Sequence, residues 1–328
     1  MAINLLNIKP HAVSTDLSGY ITFIYGAPKT GKTTLSVQMP GALLLAFERG
    51  YNALPGVMAQ DIVSWTEMKE VYRELKKPEV KAQFKSIIVD TVDVAATLCE
   101  KYVCNQNGID ELGELGYGKG WSAFRKELEE TFRGLTQMGY AVFFISHEKE
   151  FTDEKTKITY VRPSLSTTAR SIVENLADIY GYAKTFPGAG ENGKSVVKLL
   201  LRSDDGRISC GCRFKYIEPV IDFNYDALTG AVKGAIEKEA QLTNNQFVTD
   251  KREEAPVATE YNYDELMDEF NTIAGTLMNK NSEYYAPRMT EIIEKYLGKG
   301  KKIAETRRDQ AEFVYLIVQD IKETLVTD

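Results

Sequence analysis

Residues 20–33 read Tyr-Ile-Thr-Phe-Ile-Tyr-Gly-Ala-Pro-Lys-Thr-Gly-Lys-Thr. The β-branched and aromatic run over residues 20–25 predicts a buried strand. Residues 26–33 then match G-x-x-x-x-G-K-[ST], the phosphate-binding loop, at every specified position. A helix is expected over residues 33–39, closed by Pro40. Strand, glycine-rich loop and helix are the parts a triphosphate site needs. Gly26 and Gly31 let the backbone curl until successive N–H groups point inward. The helix N-terminus adds partial positive charge. Lys32 is expected on the β- and γ-phosphates of ATP, and the Thr33 hydroxyl on Mg²⁺. The expected nucleotide contacts are Gly26, Ala27, Pro28, Lys29, Thr30, Gly31, Lys32, Thr33 and Thr34.

Outward from this loop, the next segments alternate. Residues 42–47, 84–90 and 141–145 are continuous apolar runs, the pattern of parallel strands covered on both faces. Residues 64–75, 121–138 and 168–177 read as helices between and beyond them. Residues 196–202 and 207–216 flank Ser203-Asp-Asp-Gly206 and predict a β-hairpin. The fold class is therefore α/β: a mainly parallel P-loop core with a hairpin extension, spanning 1–237. Residues 238–260 are polar and without clear period, as in a linker. Residues 261–328 predict a small helical domain. Its three helices are marked by Leu266, Phe270, Ile273 and Leu277; by Met289, Ile292, Ile293 and Tyr296; and by Val314, Ile317, Val318 and Ile321.

Composition narrows the class further. The chain has 328 residues, 43% hydrophobic and 27% charged, in the range of a soluble globular protein. No apolar run approaches a membrane span, so no membrane partner is expected. The N-terminus lacks the pattern of a signal peptide, so a cytoplasmic location is expected. Four cysteines and two histidines, without a C-x-x-C pair, argue against structural zinc and for reduced thiols. Residues 236–328 hold 19 acidic and 12 basic side chains, so the whole net charge of −7 resides there. A neutral core is compatible with a local basic groove.

Three side chains end apolar strands, where open α/β sheets hold their ligands. Asp90 stands where an acidic Mg²⁺ partner is needed; nearby Asp93 reads as a solvated carboxylate. Glu48 is placed to activate water as general base, or else to pair with Arg49 at the surface. His147 is placed to sense the γ-phosphate, or to be an ordinary satisfied polar residue.

Taken in order, these residues resemble the RecA-like ATPases of bacteriophages, AAA-labelled proteins of phage recombination and single-strand annealing. The resemblance covers about residues 20–220. Phe47-Glu-Arg-Gly50 looks like the segment carrying the catalytic glutamate, which points to Glu48, and Asp90 matches the Walker B aspartate. Ser146-His-Glu-Lys149 falls where such proteins carry an Asn-Gln pair, which gives His147 the switch role. Arg213-Phe-Lys215 lies where basic fingers reach the neighbouring subunit's nucleotide. The resemblance implies a homo-oligomer, ring or filament, hydrolysing ATP at sites between subunits and bound to single-stranded DNA.

Arg213 and Lys215, two apart on an expected strand, share a face, and serve either as that finger or as a solvated edge. Two expected loops combine aromatic rings with cations, as single-strand binding requires. Residues 105–121 offer Tyr117, Lys119 and Trp121; residues 148–166 offer Lys149, Lys155, Lys157, Tyr160 and Arg162. Glu148, Glu150, Asp153 and Glu154 in the second would repel phosphate unless they point away, and both segments are also readable as lids over the nucleotide. The acidic, amphipathic C-terminal helices suit docking a protein partner or competing with DNA for the basic groove, or else form a packing domain with no ligand. A nucleotide-dependent assembly switch or loader acting on protein is the alternative to a DNA-directed enzyme. A small-molecule kinase fits less well, for want of an arginine-rich lid.

Overall fold

The computed structural model describes residue 6 and residues 8–244, 247–250 and 261–326. It divides into two compact units, Met1–Val257 and Ala258–Asp328.

The first unit is built on a ten-stranded sheet. Its strands are β1 (Ile21–Gly26), β2 (Ala42–Ala46), β3 (Ala59–Asp61), β4 (Ser86–Asp90), β5 (Ala141–Thr152), β6 (Thr159–Pro163), β7 (Ile179–Phe186), β8 (Val196–Leu200), β9 (Gly211–Cys212) and β10 (Val220–Asp222). The order is β10-β8-β7-β1-β5-β4-β2-β3, with β9 paired to β7 and β6 to β5. All pairings from β7 through β1, β5, β4 and β2 to β3 are parallel. The β7–β8, β8–β10, β7–β9 and β5–β6 pairings are antiparallel.

Helices cover both faces, which is why β1, β4 and the start of β5 are buried along almost their whole length and mostly apolar. Phe23, Leu45, Ile87, Val89, Val142 and Phe144 face one way. They pack under α2 (Trp65–Glu74), α4 (Val92–Asn107), α5 (Lys119–Gln137) and α6 (Thr167–Leu176). Ile24, Leu44, Ile88, Phe143 and Ile145 face the other way, with Leu35 of α1 (Lys32–Ser36) and Leu228, Val232 and Ile236 of α7 (Tyr225–Thr243). One further helix, α3 (Pro78–Gln83), precedes β4 with its proline in the first turn.

Several expectations shift. The helix after the P-loop has five residues and ends at Ser36; its macrodipole is correspondingly small, and the loop amides and Lys32 carry most of the positive potential. The antiparallel partners of residues 196–200 are β7, which precedes them, and β10, and not residues 207–216. The latter form only the two-residue β9. Segment 148–166 is no loop: β5 runs unbroken through residue 152 and turns back as β6. The expected linker is helical over residues 238–243, the end of α7; residues 245, 246 and 251–260 lie outside the described residues.

In the second unit, α8 (Tyr263–Leu297) and α9 (Ala311–Ile321) enclose Phe270, Leu277, Tyr285, Met289, Val314, Ile317 and Ile321. α8 breaks at Asn281, whose backbone is extended (φ −167°). The Asn281 side chain accepts the Tyr284 N–H at 3.1 Å, the bond of an N-cap, so a second helix starts there. Among the described residues of this unit three α-helical segments thus result, on the apolar positions expected. Among the described residues no helix is long and apolar enough to cross a membrane.

Candidate nucleotide site

The parallel register aligns the strand tips. Gly26 of β1 lies opposite His147 of β5, and Ala46 of β2 opposite Asp90 of β4. The turn after β2 is tied down because Phe47 and Glu48 both donate their N–H to the Asp90 carbonyl, at 2.8 and 3.2 Å. P-loop, Asp90, Glu48 and His147 are thereby gathered at one sheet edge. They line a cavity of about 340 Å³ with Pro28, Lys29, Gly31, Lys32, Thr33, Thr34, Gly50, Ala53, Leu54 and Thr91.

Backbone geometry explains the glycines. Gly31 has φ +91°, a conformation that costs an L side chain strain. A Cβ on Gly26 would meet the Ala183 carbonyl oxygen at 2.6 Å, because β7 passes close behind. Lys29 also has positive φ (65°), as the curl demands.

Lys32 is only 6% exposed. Its ammonium donates to the carbonyls of Gly26 and Ala27 at 2.8 and 2.7 Å, and Thr30 closes the loop by donating to the Ala27 carbonyl at 2.9 Å. Burial lowers the Lys32 pKa, against the opposing pull of Asp90, Asp93, Glu148 and Glu48. The Thr33 hydroxyl donates to Asp90 Oδ2 at 2.6 Å. Burial pushes the Asp90 carboxyl up, with the Thr33 bond acting the other way. A hydroxyl and a carboxylate this close are hard oxygen ligands that suit Mg²⁺. Gly50 keeps the approach open: a Cβ there would stand 3.6 Å from Thr33 Oγ1 and 3.8 Å from Asp90 Oδ2.

Glu48 does not pair with Arg49. Arg49 turns to Asp61 at 3.4 Å. Glu48 Oε1 instead accepts from the Thr91 hydroxyl at 3.2 Å, and Oε2 lies 3.8 Å from His147 Nε2. His147 Nδ1 bonds Asp93 Oδ2 at 2.9 Å. The Asp93 side chain is 15% exposed, so the sequence reading of a solvated carboxylate is corrected. The bond to Asp93 raises the His147 pKa, with burial opposing it. Asp93 and Thr91 were legible only through α4, a helix the sequence reading passed over; Thr91 as its N-cap and Asp93 in its first turn were the signals.

The remaining candidates lie outside this cavity. Arg213 follows β9 in irregular chain, so the shared strand face expected for it and Lys215 does not form. Its guanidinium meets Asp178 Oδ1 at 3.1 Å and donates to the Asn175 carbonyl at 3.2 Å, while remaining well exposed. The Lys215 ammonium sits 5.2 Å from the Tyr216 ring centroid. Lys119 and Trp121 open α5, and Trp121 is 44% exposed.

In the β5–β6 ribbon, Lys149 lies opposite Arg162 and Phe151 opposite Tyr160. By strand alternation these four side chains share one face, and Glu148, Glu150 and Val161 take the other. Val161 packs with Tyr25 and Tyr182, which decides which face is turned inward. Phe151 is 53% exposed, and the Arg162 guanidinium lies 5.3 Å from the Tyr160 ring centroid. Lys157 sits in the ribbon's turn, where Asp153 accepts the backbone N–H of Lys155 and Thr156.

A family model described as an AAA domain matches residues 18–201. The SPbeta prophage-derived uncharacterized protein YorG of Bacillus subtilis strain 168 is 32% identical over 331 residues, 99% of each chain. Among solved structures, a KaiC-like protein from Pyrococcus horikoshii OT3 aligns with 63% of this chain and 86% of its own, at 16% identity and a TM-score of 0.35.

Proposed function

The chain belongs to the AAA-domain family of P-loop proteins, and from that premise we propose that it hydrolyses ATP in concert with binding single-stranded DNA. The observation that carries the ATPase reading is the meeting of a buried Lys32, the Thr33–Asp90 pair and Glu48 around one cavity. Lys32 exchanges its carbonyl contacts for the β- and γ-phosphates, and the loop amides hold the remaining phosphate oxygens. Thr33 and Asp90 are the residues that would hold Mg²⁺, which when bound neutralises charge across the β- and γ-phosphates. Glu48 takes a proton from the attacking water. His147, at the point where β5 leaves the sheet for the ribbon, passes the state of the site along that strand.

The DNA reading draws on the outward ribbon face of Lys149, Phe151, Tyr160 and Arg162, where cations address phosphates and rings stack on bases. Of the acids that argued against this segment, Glu148 and Glu150 alternate to the opposite face and Asp153 caps the turn, while Glu154 stays exposed in that turn. Lys119, Trp121 and Lys157 would extend the contact. Oligomerisation as a ring or filament would let Arg213 or Lys215 enter a neighbour's cavity; Arg213 would have to leave Asp178 to do so.

Fluorescence anisotropy of a labelled oligonucleotide, with and without ATP and across a salt series, tests the reading. Expected is nucleotide-dependent affinity that falls linearly with log salt, together with DNA-stimulated hydrolysis. Hydrolysis without DNA binding even at low salt would contradict the DNA reading and favour a switch acting on a protein partner.

A further inference from the structure

We propose that Asp93 is a positioning residue for hydrolysis: by holding His147 at Nδ1, it aims the imidazole Nε2 at Glu48 and so sets the orientation of that base. The inference rests on the ATPase reading of the site and adds to it a residue outside the nucleotide-binding loop.

The geometry is a chain of side chains on three different elements. Asp93 Oδ2 meets His147 Nδ1 at 2.9 Å, His147 Nε2 faces Glu48 Oε2 at 3.8 Å, and Glu48 Oε1 accepts the Thr91 hydroxyl at 3.2 Å. A carboxylate at Nδ1 keeps a proton on that nitrogen. In the neutral ring Nε2 then carries the lone pair, and in the charged ring it presents a proton to Glu48. Either way the ring cannot flip without breaking the Asp93 bond.

The plain alternative is that Asp93 only complements the dipole of α4, in whose first turn it lies. Such an acid needs neither burial nor a partner on another strand. Asp93 is largely buried, and its second oxygen, Oδ1, is buried with no hydrogen-bond partner among the described residues. Leaving that oxygen unpaired works against folding. The residue is thus placed for the His147 bond at the expense of its own satisfaction.

The charged groups that face the ring are Asp93 on α4, Glu48 beyond β2, Lys32 on α1 and Asp90 at the end of β4. Asp93 contributes most to raising the His147 pKa. Only the charged ring donates toward Glu48 Oε2 and holds that carboxylate in place; the neutral ring turns a lone pair to it and leaves it unheld. The positioning is therefore present below the raised His147 pKa and fades as pH rises through it.

The chain's two histidines, His11 and His147, make a direct test practical. Nitrogen-15 NMR of histidine-labelled full-length protein, assigned with His11→Gln, reports tautomer and titration of His147. Expected in wild type is the Nδ1–H tautomer. Asp93→Asn, an isosteric change, is expected to lower the His147 pKa. In steady-state kinetics the same variant should lose about tenfold or more in kcat, keep its KM for ATP within about twofold, and shift the alkaline limb of its pH profile downward. An Nε2–H tautomer in wild type, or a His147 titration identical in wild type and Asp93→Asn, overturns the proposal. So does an unchanged kcat in Asp93→Asn. Wild type without ATPase activity would refute the ATPase reading and with it the catalytic role, while the tautomer measurement would still decide the Asp93–His147 geometry.

Discussion

The backbone of Glu48 is held by two bonds, from its own N–H and that of Phe47 to the Asp90 carbonyl, which do not depend on its side chain. Its chemistry is therefore separable from its packing. Glu48→Gln is expected to fold and bind ATP while hydrolysing it about 10²–10⁴-fold more slowly, as loss of a general base requires; single-turnover kinetics and equilibrium binding check the two halves. His147 carries a pH signature. Its folded pKa is raised through Asp93, so the pair's contribution to stability is fully present below the unfolded value of about 6.5 and is lost as pH rises through the higher folded value. Melting curves across pH should show His147→Gln furthest below wild type at the acid end, with the gap closing toward alkaline pH. At Gly26 the Ala183 carbonyl leaves no room for a methyl group. Gly26→Ala is expected to cost on the order of 1–3 kcal/mol by overpacking, measured by chemical denaturation. The phosphate loop and the acids at the strand ends were legible in sequence because each follows a long apolar run. Asp93 was not, because its partner is contributed by a strand more than fifty residues away.

Among elements, the longest apolar runs were the most legible. The sequence reading located β1, β2, β4 and the start of β5, and its helix over 64–75 appears as α2 with Ser64 accepting the Glu67 N–H as N-cap. It passed over α4, whose buried Ala95, Ala96 and Cys99 give a weak periodic signal, and β7, where Gly181 and Ala183 interrupt the apolar pattern. The β5–β6 ribbon, expected as a loop, is hidden in sequence by charged residues on both of its alternating faces. That alternation is what separates the two faces. The double substitution Lys149→Ala with Arg162→Ala should weaken single-strand binding and lower the salt slope by about one per lost phosphate contact. Phe151→Ala should weaken binding by about 1–3 kcal/mol with little change in slope. Titrations at several salt concentrations distinguish the two effects.

Across the whole molecule, each unit has its own apolar core. The three clusters of the first unit draw on no residue beyond Val248, and the cluster of the second begins at Tyr263. A chain ending at Val257 is accordingly expected to fold cooperatively and retain ATP binding, as circular dichroism and nucleotide titration would show. The most direct test of the account is steady-state ATP hydrolysis in Mg²⁺ by wild type beside Lys32→Ala. Turnover by wild type and its loss in a folded Lys32→Ala protein are predicted. A folded wild type that neither binds nor hydrolyses ATP, or a Lys32→Ala protein that turns over at the wild-type rate, would contradict it.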